Sequence, residues 1–202
     1  MPVGPLVVLT DRALAAAAGR SLPDTVHAAV RAGAPTVLYR EKDLPAAYRR
    51  ALGRDVADAL VGTDARLIVA SDPALAAELG AAGIHLSSRD PRPADHPGNV
   101  GALPFGRSCH SRAELADGAR EGASWATLSP IHVTESKPGY GPALGPAALA
   151  GTPLPVLALG GVTAARAPAC LAAGARGVAV MGAVMGSVDP AAVVQELLDA
   201  LA

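Results

Sequence analysis

A junction that connects a helix to a strand through glycine and alanine recurs four times along this chain and limits the folds that it can adopt. Glycine at such a position takes the left-handed conformation that ends a helix and turns the chain into the next element. A junction that returns before every second predicted strand indicates four stacked βαβα units. The four copies read Ala32-Gly33-Ala34, Leu79-Gly80-Ala81, Glu121-Gly122-Ala123 and Ala173-Gly174-Ala175.

Eight short runs rich in apolar and β-branched residues predict strands. Most are continuously apolar at their centres, which is typical of strands buried on both faces of a parallel sheet. The predicted strands are Leu6–Asp11, Thr36–Lys42, Arg66–Ala70, Gly83–Ser87, Gly106–His110, Trp125–Pro130, Pro155–Gly160 and Gly177–Met181.

Amphipathic segments between these runs predict helices, and most begin after a residue whose side chain can cap a helix. The expected N-caps include Ser21, Asp72, Ser111, Thr163 and Asp189. The predicted helices are Leu22–Ala32, Asp43–Val61, Asp72–Leu79, Ser111–Arg120, Thr163–Ala173 and Asp189–Leu201.

The regular alternation of strand and helix predicts an α/β fold, a single-domain (β/α)8 TIM barrel over residues 1–202. The alternative is an open doubly wound sheet. Such a sheet usually carries a glycine-rich phosphate loop after its first strand, whereas the first strand here ends in Thr10-Asp11-Arg12.

Composition excludes several classes of protein. With 17% charged and 50% hydrophobic residues the chain is not expected to be disordered. No apolar run reaches the roughly 18 residues of a membrane span. A net charge of −1 without a basic block argues against nucleic-acid partners. The N-terminus lacks the basic region of a signal peptide, so a cytoplasmic protein is expected.

Polar residues collect where the predicted strands end, which is where a barrel enzyme has its active site. Of 17 Lys and Arg residues only Lys42 and Lys137 are lysines, and both are expected at this mouth together with Arg40. Asp72 and Asp90 end neighbouring strands and could share one Mg²⁺. The alternatives are a helix N-cap for Asp72 and a turn residue for Asp90.

A second anion site is expected at Gly160-Gly161 and at Met181-Gly182, because phosphate in such barrels commonly binds backbone N–H groups after strands 7 and 8. The loop over residues 132–144 is the expected lid. Together these features suggest two anionic substrates and the loss of a diphosphate leaving group. A Schiff-base aldolase is a rival on this fold, but its lysine would normally lie within a strand.

A set of motifs spans nearly the whole chain. The motifs are Tyr39-Arg40-Glu41-Lys42, Asp72, Gly83-Ile84-His85-Leu86, Asp90, Gly106-Arg107-Ser108, Ser129-Pro130-Ile131, Thr134-Glu135-Ser136-Lys137-Pro138-Gly139, Leu159-Gly160-Gly161 and Gly177-Val178-Ala179-Val180-Met181. In this order they resemble the motifs of the thiamine phosphate synthase and thiazole tautomerase superfamily, and they are closer to the synthase. The resemblance implies a Mg²⁺-assisted reaction in which hydroxymethylpyrimidine diphosphate loses pyrophosphate and the nitrogen of thiazole phosphate captures the resulting cation. It also makes a homodimer an expectation.

The resemblance also implies roles for single residues. Asp72 and Asp90 would hold Mg²⁺, while Arg40, Lys42 and Lys137 would bind the diphosphate. The residues expected at the pyrimidine are Leu38, Ser71 and Ser108, with Tyr39 as a possible stacking ring, and Glu41 is also expected to bind substrate. Those expected at the thiazole phosphate are Thr134, Glu135, Ser136, Gly161, Met181 and Gly182, with His132 also expected to bind substrate.

Three positions depart from the synthase pattern. Leu38 stands where Gln is usual, Ser71 where Asn is usual, and Ser87-Ser88 where Gly-Gln is usual. A tautomerase-like isomerase is therefore one alternative, with His110 and His132 as possible acid–base residues, although Pro130 stands where its histidine is expected. A paralogue that binds thiamine phosphate without catalysis is the other alternative.

Overall fold

Each strand of the computed structural model pairs in parallel with the strand that follows it, and the last strand pairs with the first, so that eight strands close into a barrel. The structure describes residues 2–92, 95–96, 101, 103–133 and 142–202. The strands are β1 Leu6–Leu9, β2 Thr36–Tyr39, β3 Arg66–Ala70, β4 Gly83–Leu86, β5 Phe105–Cys109, β6 Trp125–Leu128, β7 Val156–Leu159 and β8 Gly177–Val180.

Helices follow most strands and form the outer layer of the barrel. A 3-10 helix over Pro146–Leu149 precedes β7. The helices are α1 Arg12–Ala17, α2 Leu22–Arg31, α3 Ala46–Ala59, α4 Pro73–Glu78, α5 Arg112–Arg120, α6 Ala167–Ala172, α7 Gly182–Met185 and α8 Pro190–Asp199. The predicted (β/α)8 barrel is confirmed, and the open doubly wound sheet is wrong.

Alternation along the strands separates two apolar layers. Outward-facing residues such as Val37 and Tyr39 pack with the helices in the outer core. Inward-facing residues such as Leu38, Ile68 and Trp125 fill the barrel itself. Because successive side chains of a strand point to opposite faces, neighbours such as Leu38 and Tyr39 enter different layers.

Local capping explains where most helices begin. Ser21, Asp72, Ser111 and Asp189 each accept a hydrogen bond from the backbone N–H three residues later, as predicted. The glycines of the four repeated junctions all have positive φ, between 61° and 108°. That conformation costs glycine little and other residues more, which is why this residue recurs there.

The start of α6 corrects the sequence-based prediction. Thr163 does not cap this helix, which begins at Ala167 after a turn in which the Thr163 carbonyl accepts from Arg166 and Ala167. A helix starting at Thr163 would need an N–H at Pro168 to bond the carbonyl of Ala164, and proline has none. The start of α3 at Ala46 rather than Asp43 has a related cause, since Pro45 disfavours helical geometry in the residue before it.

The sequence analysis did not predict two short helices, α1 and α7. Helix α1 follows β1 directly and is capped by Asp11, whose carboxylate accepts from the N–H groups of Ala13 and Leu14. Helix α7 begins at Gly182, immediately after β8. In the described part of the chain, no helix is long and apolar enough to cross a membrane.

Candidate active site

A cavity of about 1090 Å³ opens at the carboxyl ends of the strands. Inward-facing residues of the barrel, including Leu38 and Ala70, line its base. Of the residues expected from sequence at the site, those that line the cavity are Leu38, Arg40, Lys42, Ser108, Gly160, Gly161, Met181 and Gly182.

The ends of β2, β3 and β4 form a hydrogen-bonded chain of charged and hydroxyl groups beside this cavity. The Lys42 ammonium donates to the Ser71 Oγ at 2.5 Å, and the Ser71 hydroxyl donates to the Asp90 carboxylate. The Ser87 N–H donates to the same carboxylate oxygen at 2.6 Å. Ser71 has a φ of 56°, in the left-handed region that Asn tolerates better, which gives a physical reason for the Asn of the synthase pattern.

Asp90 is held in its ionised form. Partial burial alone would raise the pKa of this carboxyl, but the hydrogen bonds from Ser71 and Ser87 and the charge of Lys42 together hold it below its ordinary value. A fixed carboxylate next to an ammonium group can take part in binding either a divalent cation or a cation-bound phosphate.

Both carboxylate oxygens of Asp72 already accept hydrogen bonds within the protein. One oxygen caps α4 by accepting from the Leu75 N–H at 2.9 Å, and the other pairs with Arg49 at 3.1 Å. Arg49 also donates to the Ala70 carbonyl at 2.6 Å, which ties α3 to the end of β3. Asp72 is therefore an N-cap, as one sequence-based alternative has it, and it does not line the cavity.

A buried arginine on β5 holds the turn that carries Asp90. Arg107 donates to the carbonyls of Ser87 and Asp90, both at 3.0 Å, and its guanidinium lies 2.9 Å from the carboxylate of Glu121. Only about 9% of the Arg107 side chain is exposed, so this ion pair is largely shielded from solvent. The position of Asp90 thus depends on β5 as well as on β4.

His85 connects Ser108 to the barrel interior. Its Nε2 lies 3.1 Å from the Ser108 Oγ and 3.2 Å from the Thr127 Oγ1, and its ring stacks on Trp125. Gly106 makes room for this pair, because a Cβ there would lie 2.1 Å from the indole. Burial lowers the pKa of His85 to about 3, and the charge of Lys42 acts in the same direction, so the imidazole is neutral near pH 7.

The turn after β7 forms the other end of the cavity. Gly160 and Gly161 have φ values of 92° and 61°, and a Cβ at Gly161 would lie 2.4 Å from the Val133 carbonyl oxygen. Both positions therefore require glycine. Arg166 lines the cavity at this turn and donates to the Gly161 carbonyl at 2.7 Å.

Besides Ser71, Asp72 and Asp90, three further expected site residues do not line the cavity. The Tyr39 ring is fully buried in the outer core, where its hydroxyl donates to the Arg49 carbonyl at 2.8 Å. Glu41 is buried against Arg12 at 2.9 Å. His132 has its Nε2 3.9 Å from the Cys170 Sγ, and burial together with the nearby Arg166 lowers its pKa. The structure therefore does not bring these side chains into the site.

The segment after β6 carries the remaining sequence-based candidates. Thr134, Glu135, Ser136 and Lys137 lie outside the described residues, and so does most of the expected lid. Their assignment to the thiazole phosphate and the diphosphate stays a prediction.

The structure adds residues that the sequence-based assignment missed. His85 is a polar residue inside the otherwise apolar strand β4, at a position that faces the interior, and that pattern could have identified it. His110, weighed above only for an isomerase, also lines the cavity and has its Nδ1 2.9 Å from the Ser129 carbonyl oxygen. Further lining residues are Ser87, Ser88, Arg89, Thr127, Ser129, Thr163 and Arg166.

Comparisons with known proteins agree on one family. A family model described as thiamine monophosphate synthase matches residues 6–184. The thiamine-phosphate synthase of Roseiflexus castenholzii is 38% identical over 98% of this chain and 89% of its own length. That of Methanoculleus marisnigri is 38% identical over 98% of this chain and 95% of its own. The solved thiamine phosphate pyrophosphorylase of Pyrococcus furiosus superimposes with a TM-score of 0.84 at 25% identity, covering 99% of this chain and 96% of its own.

Proposed function

This chain belongs to the thiamine monophosphate synthase family, and from that premise we propose that it is a thiamine-phosphate synthase. It joins hydroxymethylpyrimidine diphosphate to thiazole phosphate and releases pyrophosphate. The observation that carries the proposal is a single cavity with two different anion-binding ends. Lys42 and Arg40 line one end, where Ser71 connects Lys42 to the carboxylate of Asp90, and the Gly160-Gly161 turn lies at the other end.

The cationic end suits a diphosphate leaving group. Lys42 and Arg40 attract the diphosphate and stabilise the negative charge that develops as its bond to the pyrimidine methylene breaks. The thiazole nitrogen then forms the new C–N bond to that methylene carbon. Ser108, held by His85, lies at the cavity base, where it can donate to or accept from the pyrimidine.

The residues present fit a magnesium ion, provided that Asp90 is its main protein ligand. Mg²⁺ needs only one or two carboxylates when phosphate oxygens and water complete its shell. The Asp90 carboxylate is ionised and fixed beside Ser71. Asp72 can contribute only a lone pair left over from its bonds to Leu75 and Arg49, since a carboxylate has about four acceptor sites. The chemistry that Mg²⁺ supplies when bound is neutralisation of the leaving diphosphate.

The decisive experiment incubates the purified protein with both precursors and Mg²⁺ and measures pyrophosphate and thiamine phosphate. Equimolar formation of both products is expected, with none when either precursor is omitted. Replacing Lys42 with Ala should lower kcat/KM by about 100-fold, in the range known for removing one charge-stabilising donor. The matched control is Arg50→Ala, which removes an exposed cation paired with Glu78 on the outer face and should leave the rate unchanged.

Absence of both products at every enzyme concentration would exclude the synthase. Proton exchange on the thiazole without metal would instead indicate the isomerase, and tight binding of thiamine phosphate without turnover would indicate the non-catalytic paralogue. The comparisons do not favour either alternative, because the relatives are named as synthases.

The substrates that this function implies are small phosphorylated molecules. A homodimer, a cytoplasmic location and a single domain over residues 1–202 belong to the same proposal. Size-exclusion chromatography with light scattering measures directly whether the protein is a homodimer.

A further inference from the structure

The cations of the cavity are unevenly distributed. Among the described residues that line it, the Lys and Arg side chains are Arg40, Lys42, Arg89 and Arg166. Arg40, Lys42 and Arg89 follow β2 and β4, on the side assigned above to the diphosphate. Arg166 follows β7, on the opposite side of the closed barrel.

In the Gly160-Gly161 turn beside Arg166, the backbone carbonyls already accept hydrogen bonds, whereas the N–H groups that follow them are available as donors. The Leu159 and Gly160 carbonyls accept from the backbone of Ile131 and His132, at 2.9 and 3.0 Å, and the Gly161 carbonyl accepts from Arg166. Within the described part of the chain, the N–H groups of residues 161–163 donate to no protein group. A turn of this kind presents donors to an anion.

Arg166 is tied to the same turn whose N–H groups are open. Its Nη1 bond to the Gly161 carbonyl fixes the guanidinium beside the turn at the exposed edge of the cavity. A guanidinium carries five N–H donors, so one bond to a carbonyl leaves several for a ligand. The planar fork of arginine matches phosphate oxygens better than a single ammonium does.

We infer that Arg166 binds the phosphate monoester of the second substrate and makes the site select a phosphorylated thiazole over the corresponding alcohol. The inference rests on the proposed function, because it takes the second substrate to be a thiazole phosphate. Arg166 supplies the positive charge at the glycine end, and the backbone N–H groups supply neutral donors.

The test compares two ligands that differ only in the phosphate. Calorimetry measures the Kd of thiazole phosphate and of the thiazole alcohol for the wild-type protein and for Arg166→Ala. The variant should weaken binding of the phosphate by about tenfold or more and binding of the alcohol by less than about twofold, since one charged hydrogen-bond donor to phosphate is removed. Arg166→Lys keeps the charge and should recover part of the loss.

The matched control is Arg112→Ala. Arg112 also donates to backbone carbonyls, those of Ala148, Ala150 and Gly151, but it is exposed and does not line the cavity. Its replacement should leave both Kd values unchanged.

Two outcomes would overturn the inference. Equal weakening of phosphate and alcohol would mean that Arg166 only supports the turn, and an unchanged Kd for the phosphate would mean that it does not touch the ligand. Pyrophosphate release by the wild-type protein is measured separately. Failure of the synthase activity is therefore visible there, while the selectivity between the two ligands still decides the role of Arg166.

Discussion

At the scale of single residues, Asp72 combines a structural role at the start of α4 with an expected role in metal binding. One carboxylate oxygen accepts from the Leu75 N–H at the start of α4, the other pairs with the largely buried Arg49, and both contacts hold the chain just after β3. The family resemblance implies a metal-ligand role for the same residue, and that role stays a prediction. Replacement by alanine would mix these roles, because it removes the cap and the charge together.

Replacement of Asp72 by asparagine separates the capping role from the role of the charge. Asn caps helices about as well as Asp but is neutral. Asp72→Asn should therefore keep the cap of α4, but it should lower the free energy of unfolding by about 2 kcal/mol, because the largely buried Arg49 loses its charged partner. If Asp72 also contributes to the metal site, the Mg²⁺ concentration for half-maximal activity should rise by about tenfold.

Asp189→Asn is the control for this prediction. Asp189 caps α8 in the same Asp-Pro context, by accepting from Ala192 at 3.0 Å, and does not line the cavity. Urea unfolding and Mg²⁺ titrations of turnover measure the two effects separately. An unchanged Mg²⁺ requirement in Asp72→Asn would leave Asp72 with its structural role alone.

At the scale of elements, the β4–β5 pair positions the ionised Asp90. Arg107 points away from the cavity and reaches the turn after β4, where it satisfies two carbonyls, while Glu121 at the end of α5 balances its charge. A strand, a turn and a helix end are thereby joined through one buried guanidinium. Breaking one partner of such a pair is costly because the other charge stays buried.

Arg107→Met should therefore lower the free energy of unfolding by about 3 kcal/mol, as is typical when a buried charge loses its partner. The double variant Arg107→Met/Glu121→Gln should recover part of this loss, because it removes a carboxylate whose remaining cation is the exposed Arg92 at 3.7 Å. Urea unfolding of the wild type, both single variants and the double variant completes the cycle. Equal stability of the Arg107→Met and double variants would show that the lost bonds to the Ser87–Asp90 turn, rather than the charge left on Glu121, dominate.

At the scale of the whole molecule, the barrel interior keeps an imidazole neutral. His85 is about 5% exposed, and its folded-state pKa of about 3 lies far below the ordinary value of 6.5. Because the folded state resists protonation, His85 contributes stability above pH 6.5 that is lost as the pH falls toward 3.

His85→Gln removes this titration and keeps a nitrogen near Ser108. The free energy of unfolding of the wild type should fall between pH 7 and pH 4 by about 3 kcal/mol more than that of the variant, at 1.36 kcal/mol per pKa unit. Urea unfolding at several pH values provides the comparison, and the difference between the two proteins cancels the carboxylates that they share. If the free energies of unfolding of the wild type and of His85→Gln fell equally with pH, the assignment of a neutral, buried His85 would be contradicted.

The sequence by itself determined the number, order and type of the main elements. Apolar strand runs, capping residues and the repeated glycine junction are local signals, and each depends on residues within a few positions of one another. The same local patterns predicted polar residues at one mouth of the barrel. Arg40, Lys42 and Ser108 do line the cavity there, whereas Tyr39, Glu41 and Asp72 do not. The prediction of helices failed at Thr163 and Asp43, where a nearby proline forbids the expected helical turn, and it missed the short helices α1 and α7.

Only the tertiary structure decided which of those polar residues meet. Whether Leu38 or Tyr39 faces the interior depends on the closing of the barrel. One carboxylate oxygen of Asp72 is paired with Arg49, and that arginine comes from a different helix, α3. His85 meets Thr127, 42 residues away, and Gly161 packs on Val133 in the segment after β6. Such contacts join residues from separate elements, so no local pattern contains them, and they become definite only when parallel pairing closes the eight strands.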